Sequence, residues 1–201
     1  MGKIFNEASV ITDDIETMER LKKEQEYYEY IKKHVKFVCE AFERYFIPLK
    51  EKSNISSVLS DQDIYDAIDV VANRIQDHDA SKYLDAEFYS YRAKYYPTAN
   101  EAKGDDEYMK LVEDRYNDAW KHHYTNNKHH PEFWINEDGT IRDMDLDAII
   151  EMLCDWNAVS LMFGTSVLDW YEKQAVDDEQ KAMKPKTKEI TEEFLYNILY
   201  H

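Results

Sequence analysis

Apolar and aromatic residues recur at steps of three and four along most of this chain, which is the period of helices that each bury one face. The predicted helices run from Asp14 to about Lys50, from Asp61 to near His78, from Ala86 to Tyr95, from about Glu107 to Tyr124, from Leu146 to Tyr171 and from Glu192 to Tyr200. The pattern predicts an all-α fold that forms a single domain over residues 1–201. Its core is expected at about 14–176, with a C-terminal helix at 190–201 docking on it.

Composition supports this fold class and excludes several functions. The 201 residues include only 4 Gly and 4 Pro, so turns are scarce and a sheet-rich fold is disfavoured. A formal net charge of −17 argues against a protein that coats nucleic acid, and the Lys-rich run Lys181–Lys188 is interpreted as a solvated connector. The sequence shows neither an apolar run long enough to cross a bilayer nor a signal peptide. We therefore expect a cytoplasmic protein with no membrane and no nucleic-acid polymer as partner.

Two segments lack helical periodicity. Residues Thr98–Asp106 are predicted to be a linker, and Thr125–Met144 is a loop of a length that is usually functional or disordered. This second loop contains histidines and aromatic residues, which a floppy linker rarely carries. Cys39 and Cys154 lie in apolar helical stretches far apart in sequence, and we expect them to be buried thiols.

Four residues that commonly bind metals are predicted on inward-facing positions of three different helices. They are His34, His78, Asp79 and Asp155. Burying a carboxylate without a partner costs several kcal/mol, or the carboxylate takes up a proton. A bound divalent cation would balance the buried negative charge. Each residue also has a simpler interpretation: His34 as a hydrogen-bonded core residue, Asp79 as a local cap, and Asp155 as an ion-pair partner of Arg74 or a lysine.

Two pairs of adjacent histidines lie between Asp79 and Asp155. Neighbouring residues on a helix diverge by about 100°, and the helix face that carries Val112, Tyr116 and Ala119 selects His123 rather than His122. Pro131 restricts His130 to an extended or turn conformation, so one of His129 and His130 could reach a metal and the other a substrate oxygen. The alternative is a solvated polar loop.

This arrangement of His34, His78-Asp79 and Asp155 resembles the HD-domain metal-dependent phosphohydrolase superfamily. The run His78-Asp79-Ala80-Ser81-Lys82 is similar to an HD-x-x-K motif, and the length and helix order are similar to those of small bacterial 5′-deoxynucleotidases. The elements His129-His130-Pro131-Glu132 and Asp138-Gly139 resemble those of HD-GYP phosphodiesterases. However, Thr140-Ile141-Arg142 replaces the GYP tripeptide, and Lys82 stands where deoxynucleotidases have a carboxylate. Residues 122–134 also resemble an uncharacterised family of phage and bacterial proteins.

The resemblance implies an HD-domain-like helical bundle that holds one or two divalent ions, of Mn, Co, Zn, Mg or Fe. The expected metal ligands are His34, His78, Asp79, His123, His130 and Asp155. Asp79 would bridge the ions and act in catalysis, Lys82 would face the phosphoryl oxygens, and Glu132 would protonate the leaving oxygen. His129, Phe133 and Trp134 would contact the substrate, although the two aromatic residues could equally form the packing core of their own loop.

These expectations favour a hydrolase that acts on a phosphate ester of a small nucleotide or nucleotide-like substrate. One alternative is a di-iron oxygenase, because some HD folds with additional histidines have that activity. Another is a non-catalytic protein that binds a nucleotide signal. The third predicted helix carries more aromatic rings than one buried face needs, which would suit a homo-oligomer contact.

Overall fold

The computed structural model describes residues 7–175 and 183–199, and all regular elements in these ranges are helical. The helices are α1 (Glu7–Tyr45), α2 (Asp61–Ala72), α3 (Asp85–Tyr95), α4 (Asp106–Asn126), α5 (Leu146–Phe163), α6 (Val167–Trp170) and α7 (Pro185–Phe194). The all-α prediction is confirmed. None of the helices in the described ranges combines the length and apolar character that a bilayer crossing needs.

The chain divides into two compact units. The first takes the chain up to Ile31 together with Ser81–His123, and the second takes Lys32–Ala80 together with the chain from Tyr124 onward. Two of the three divisions fall inside α1 and α4, so each of these helices contributes residues to both units. Organisation as a single domain stays a prediction.

The second unit is built around α5. Almost every side chain of α5 from Ala148 to Ser160 is buried, and a helix that is apolar on all sides is expected at the centre of a core. The buried side chains around it come from α1 and the residue that follows it, from α2 and from the C-terminal segment; they include Phe42, Phe46, Ile64, Ile68, Val71, Phe194 and Leu195. Cys39 and Cys154 are free and buried in this core, as predicted.

The first unit is held together by aromatic side chains. Tyr27 of α1 is buried, and its ring stacks on Tyr91 with centroids 6.4 Å apart and contacts Phe88 at 5.1 Å. The ring of Tyr96, directly after α3, also contacts Tyr27, at 5.7 Å. Packing within the unit therefore accounts for several of the rings that suggested an oligomer contact, while Tyr95 remains 55% exposed. A homo-oligomer stays a prediction.

α2 begins at Asp61, as predicted, but ends earlier than predicted. Ser60 is the N-cap, because its side chain accepts the backbone N–H of Asp63. The helix ends at Ala72 instead of near His78. The side-chain amide of Asn73 donates to the carbonyl of Asp69, which satisfies a terminal helix acceptor and lets the chain leave the helix. His78 and Asp79 therefore lie on the connector after α2.

The C-terminal helices also begin and end elsewhere than predicted. Gly164 is not an interior residue of a helix that reaches Tyr171; it caps α5 in the left-handed conformation, with φ of 70°. The last helix begins at Pro185 and not at Glu192, because proline suits the first helical turn and Thr187 and Ile190 are buried. Pro185–Lys188 is thus helical and not connector, while residues 176–182 and 200–201 lie outside the described ranges.

Candidate metal centre

Four of the predicted metal ligands lie together in the second unit. His34 is on the buried face of α1 with Val38, Asp155 is on α5, and His78 and Asp79 are on the connector after α2. His34 Nε2 lies 3.1 Å from Asp155 Oδ1, 3.4 Å from Asp79 Oδ2 and 3.3 Å from His78 Nε2. All four residues are at least nine-tenths buried. The tertiary structure therefore brings these residues from three separate elements into one cluster.

Asp79 has an unusual backbone conformation. Its φ is 57°, in the left-handed region, which costs most non-glycine residues about 1–2 kcal/mol. The residue lies between two short 3₁₀ turns, Ile75–Asp77 and Ala80–Tyr83, so the chain changes direction at this point. Non-glycine residues in this region concentrate at functional sites. The strain is consistent with a role that requires the Asp79 carboxylate inside the cluster.

His129 joins the same cluster. Its Nε2 atom lies 3.5 Å from Asp79 Oδ1 and 3.8 Å from Asp155 Oδ2, and only 2% of the residue is exposed. The ring of His130 packs against that of His129, with centroids 4.2 Å apart, and His130 is less buried. The sequence predicts that His129 contacts the substrate and that His130 binds the metal. The structure gives His129 the more central position among the carboxylates, and places a ligand atom of His130 within 4.8 Å of ligand atoms of Asp79 and His129.

A row of three carboxylates on α5 supports the histidines. Asp147, Glu151 and Asp155 are spaced four residues apart and therefore share one face of the helix. Glu151 Oε1 lies 3.0 Å from His78 Nδ1 and 3.3 Å from His129 Nδ1. Glu151 is not among the site residues predicted from the sequence. The four-residue spacing of acidic residues in an otherwise apolar helix is the signal that could have revealed it.

The second carboxylate oxygen of Glu151 contacts a basic side chain, that of Arg74. Arg74 donates from Nε to Glu151 Oε2 at 2.9 Å and from Nη1 to Asp147 Oδ2 at 2.5 Å. Lys128 Nζ also contacts Asp147 Oδ2, at 2.7 Å. The suggested pairing of Arg74 with Asp155 is therefore wrong, because Arg74 is engaged by the two preceding carboxylates of the row.

Hydrogen bonds and nearby histidines keep Glu151 and Asp155 ionised. Burial by itself would raise the pKa of Glu151, but hydrogen bonds from His129 and His78 outweigh it and hold this pKa far below its ordinary value. Asp155 is affected in the same way, chiefly through the hydrogen bond from His34. Burial lowers the pKa of His78. For His129, the effect of burial is outweighed by the hydrogen bond to Glu151, and its pKa is raised.

Another buried carboxylate in the first unit contacts two histidines. Glu87 Oε1 and Oε2 lie 2.6 Å from His122 Nδ1 and 2.8 Å from His123 Nδ1, and Ser81 Oγ lies 3.2 Å from the same His123 atom. His123 lies on the buried face of α4, whereas the side chain of His122 is 37% exposed. Lys82 Nζ lies 5.9 Å from the ring centroid of Tyr91. The roles of His123 in metal binding and of Lys82 in phosphate binding stay predictions.

The predicted substrate contacts of the loop pack within the second unit. Trp134 is 5% exposed and its indole N–H donates to the Lys128 carbonyl at 2.8 Å, while the half-buried Phe133 packs against the same core. The guanidinium of Arg142 covers both rings, at 5.0 and 5.6 Å. The alternative that these rings form the packing core of their loop agrees with this arrangement. Glu132 is also buried, at 8% exposed, and its acid role stays a prediction.

The DG element of the same loop forms a tight turn. Asp138 Oδ1 accepts the backbone N–H and the hydroxyl of Thr140, and Gly139 has φ of 79°. The turn joins Ile135 and Ile141, which form an isolated antiparallel bridge. These contacts give the Asp138-Gly139 dipeptide a local structural role.

Comparison with known proteins identifies the family. A family model matches residues 23–197, most of the chain and the whole candidate centre. The chain belongs to the DUF5662 family, a family of unknown function. Searches of curated proteins and of solved structures give no match to this chain.

The ligand atoms in the second unit of this DUF5662 chain fit a metal ion. Two triplets, His34–His78–Asp79 and His78–His129–Asp155, each offer one ligand atom per residue within 4.8 Å of the others. Carboxylates accept hydrogen bonds only, and a neutral imidazole with its proton on Nδ1 presents a lone pair at Nε2. Because so many acceptors converge, a cation would balance them, and this mixture of nitrogen and oxygen suits Zn, Mn, Fe or Co. These buried groups could therefore hold a metal ion.

Proposed function

We propose that this protein is a metal-dependent phosphohydrolase that acts on a phosphate ester of a small nucleotide or nucleotide-like substrate. The observation that carries the proposal is the convergence of His34, His78, Asp79 and Asp155, with His129 beside them, in a buried cluster. The same four residues carry the resemblance to the HD-domain superfamily.

The residues divide into those that would hold the ion and those that support them. His34, His78, His129, Asp79 and Asp155 would supply nitrogen and oxygen ligands. A bound divalent cation supplies Lewis-acid polarisation of a phosphoryl oxygen and activates water near neutral pH. Glu132 is our candidate for protonating the leaving oxygen, and Lys82 for neutralising phosphoryl charge. We place the protein in the cytoplasm.

The phosphate substrate would be attracted by the ion and not by the surface of the chain. The formal net charge is −17, which by itself repels anions. A bound divalent ion is often the largest local charge in a site and reverses the local field. The acidic composition is therefore compatible with a nucleotide substrate only if the centre is loaded, which makes metal content the first property to measure.

The test compares three full-length proteins purified without tags or chelators. Wild type is expected to carry one or two equivalents of Mn, Co, Zn or Mg, and to hydrolyse a member of a panel of nucleoside mono-, tri- and cyclic phosphates. The H78A/D79A double variant is expected to lose both properties. Asp69→Ala, which removes an exposed carboxylate paired with Lys50, is the control and is expected to keep both.

Other outcomes would support the alternatives. Bound iron with oxygen consumption would favour the oxygenase, for which three clustered histidines are also suitable ligands. Retention of a nucleotide without turnover would favour a binding protein. Absence of any metal from wild type, even after incubation with added ions, would contradict the proposal and leave the histidines with a structural role.

A further inference from the structure

Glu151 uses its two oxygens for different partners. Oε1 contacts Nδ1 of both His78 and His129, at 3.0 and 3.3 Å. Oε2 is contacted by Arg74, with Nε at 2.9 Å and Nη2 at 2.8 Å. The residue is 5% exposed, so protein groups make most of its environment. One carboxylate thus connects two rings of the cluster to a single guanidinium.

This contact determines where the two rings carry their protons. An ionised carboxylate only accepts, so both rings donate an N–H from Nδ1. A neutral imidazole then has a lone pair at Nε2. The Nε2 atoms of His78 and His129 are the ones that lie near Asp79, at 3.5 Å each. Both Nε2 atoms therefore lie on the side of the cluster where a cation would bind, and Nε2 of His78 also lies 3.3 Å from Nε2 of His34.

Arg74 in turn fixes the carboxylate. The guanidinium donates a hydrogen bond from Nε to Glu151 Oε2 and another from Nη1 to Asp147, and its Nη2 forms an ion pair with the same Glu151 oxygen, so Glu151 is held in one orientation. Lys128 holds Asp147 from the other side at 2.7 Å. The contacts form a continuous series from Lys128 through Asp147, Arg74 and Glu151 to the two histidines.

We infer that Glu151, held by Arg74, is a positioning residue that orients His78 and His129 and sets their tautomer, and thereby sets the metal affinity of the centre. The inference rests on the proposed function because it assumes that the centre binds a cation. Removing a residue that accepts a hydrogen bond from a metal-ligating histidine typically changes metal affinity by about 10–100-fold.

Glu151→Gln is the most informative variant, because a glutamine cannot satisfy both sides. If its carbonyl oxygen faces the histidines, its NH₂ group faces the donors of Arg74. If it is flipped, the NH₂ group faces two ring N–H groups. We expect about 10–100-fold weaker Zn²⁺ binding, measured by competition with a chromophoric chelator. Glu193→Gln is the matched control, since Glu193 also accepts two hydrogen bonds, from Ser56 and Ser57, and contacts none of the histidines in the described residues.

The second readout needs no metal. Nitrogen-15 NMR of the imidazole side chains in the metal-free full-length protein is expected to show His78 and His129 with protons on Nδ1. In Glu151→Gln we expect at least one ring to shift toward the Nε2–H tautomer, while Glu193→Gln leaves both unchanged. Unchanged tautomers and unchanged Zn²⁺ affinity in a folded Glu151→Gln variant would overturn the inference.

The outcomes separate this inference from the proposed function. If wild type binds none of Mn²⁺, Co²⁺, Zn²⁺ and Mg²⁺, the proposed function fails, and the affinity part of the inference fails with it, whatever the NMR shows. If wild type binds Zn²⁺ and Glu151→Gln binds it equally well, only the positioning role is lost. If Glu151→Gln fails to fold, Arg74→Lys is the variant to test. It keeps the positive charge and removes the contact of two guanidinium nitrogens with Glu151 Oε2. Unchanged affinity and tautomers in that variant would equally overturn the inference.

Discussion

Nε2 of His34, on α1, lies 3.1 Å from Oδ1 of Asp155, on α5, and both residues are more than nine-tenths buried. Burying such a pair between two core helices costs desolvation free energy. Other favourable interactions, such as binding of a cation, must compensate for this cost. The neighbouring carboxyl group of Asp79 lies 3.4 Å from the same nitrogen and adds a second acidic side chain. The cluster therefore concentrates anionic ligands where a hydrophobic core would otherwise continue.

Binding of a metal ion should stabilise the folded state. A ligand that binds only the folded state at a concentration of 100 times its Kd adds about 2.7 kcal/mol. For a chain of this length, each kcal/mol raises Tm by about 2–4 °C. We expect thermal unfolding followed by circular dichroism to show a higher Tm with Zn²⁺ or Mn²⁺ than with a chelator. The H78A/D79A variant should have the same Tm with the metal ion and with the chelator. If its Tm rises with the metal ion as much as that of wild type, the ion binds elsewhere.

Glycine at position 79 should be better tolerated than alanine. Because φ of Asp79 is 57°, a Cβ is strained there, whereas glycine adopts this region freely. We expect the metal-free Asp79→Gly variant to be about 1 kcal/mol more stable toward urea than Asp79→Ala, although both lose a metal ligand. Equal stabilities, or a more stable Asp79→Ala, would indicate that the left-handed conformation is not kept in the variants.

The C-terminal helix should contribute strongly to the stability of the second unit. Phe194 is fully buried, and its ring lies 6.0 Å from that of Phe46. Removing a buried phenylalanine side chain typically costs about 3–5 kcal/mol. We expect Phe194→Ala to lower the free energy of unfolding by this amount, measured in urea. Tyr196→Ala, at a position that is 40% exposed in the same segment, is the control and should cost much less.

Glu101 should stabilise the first unit in a pH-dependent manner. Burial alone would raise its pKa, but the hydrogen bond and ion pair with Arg92 and the hydrogen bonds with Thr98 outweigh it and lower the pKa below 4.5. A carboxyl whose pKa is lower in the folded state stabilises the fold above its unfolded pKa, and this stabilisation is lost as pH falls through the folded pKa. We expect Glu101→Gln to cost about 1–3 kcal/mol at pH 7 and progressively less below pH 4.5.

Urea titrations of wild type and Glu101→Gln at several pH values check this prediction. A difference that stays constant down to pH 3 would contradict it. Glu113, whose contact with Lys94 is more exposed, offers a comparison, because an exposed pair contributes about 0–1 kcal/mol.

Local information in the sequence was sufficient for the fold class and for part of the cluster. Helical periodicity reports which face of a helix is buried, and it placed His34 and Asp155 on inner faces that the structure also buries. The adjacent pair His78-Asp79 was recognised as a short motif, although the helix proposed to carry it ends at Ala72. The choice of His123 over His122 as the buried residue likewise followed from its neighbours on the same helix.

Contacts between distant segments decided the rest. One carboxylate oxygen of Glu151 contacts both His78 and His129, and the three residues come from different parts of the chain. Helical periodicity carries no information about contacts between distant segments. The same limit applies to His129 and His130. They are adjacent in a loop, so the sequence does not indicate which of them lies closer to the carboxylates, and only the packing of the loop decides this. The sequence alone determined which faces are buried and which residue types could bind a metal. Only the tertiary structure decided which of those side chains meet, because this depends on packing between helices.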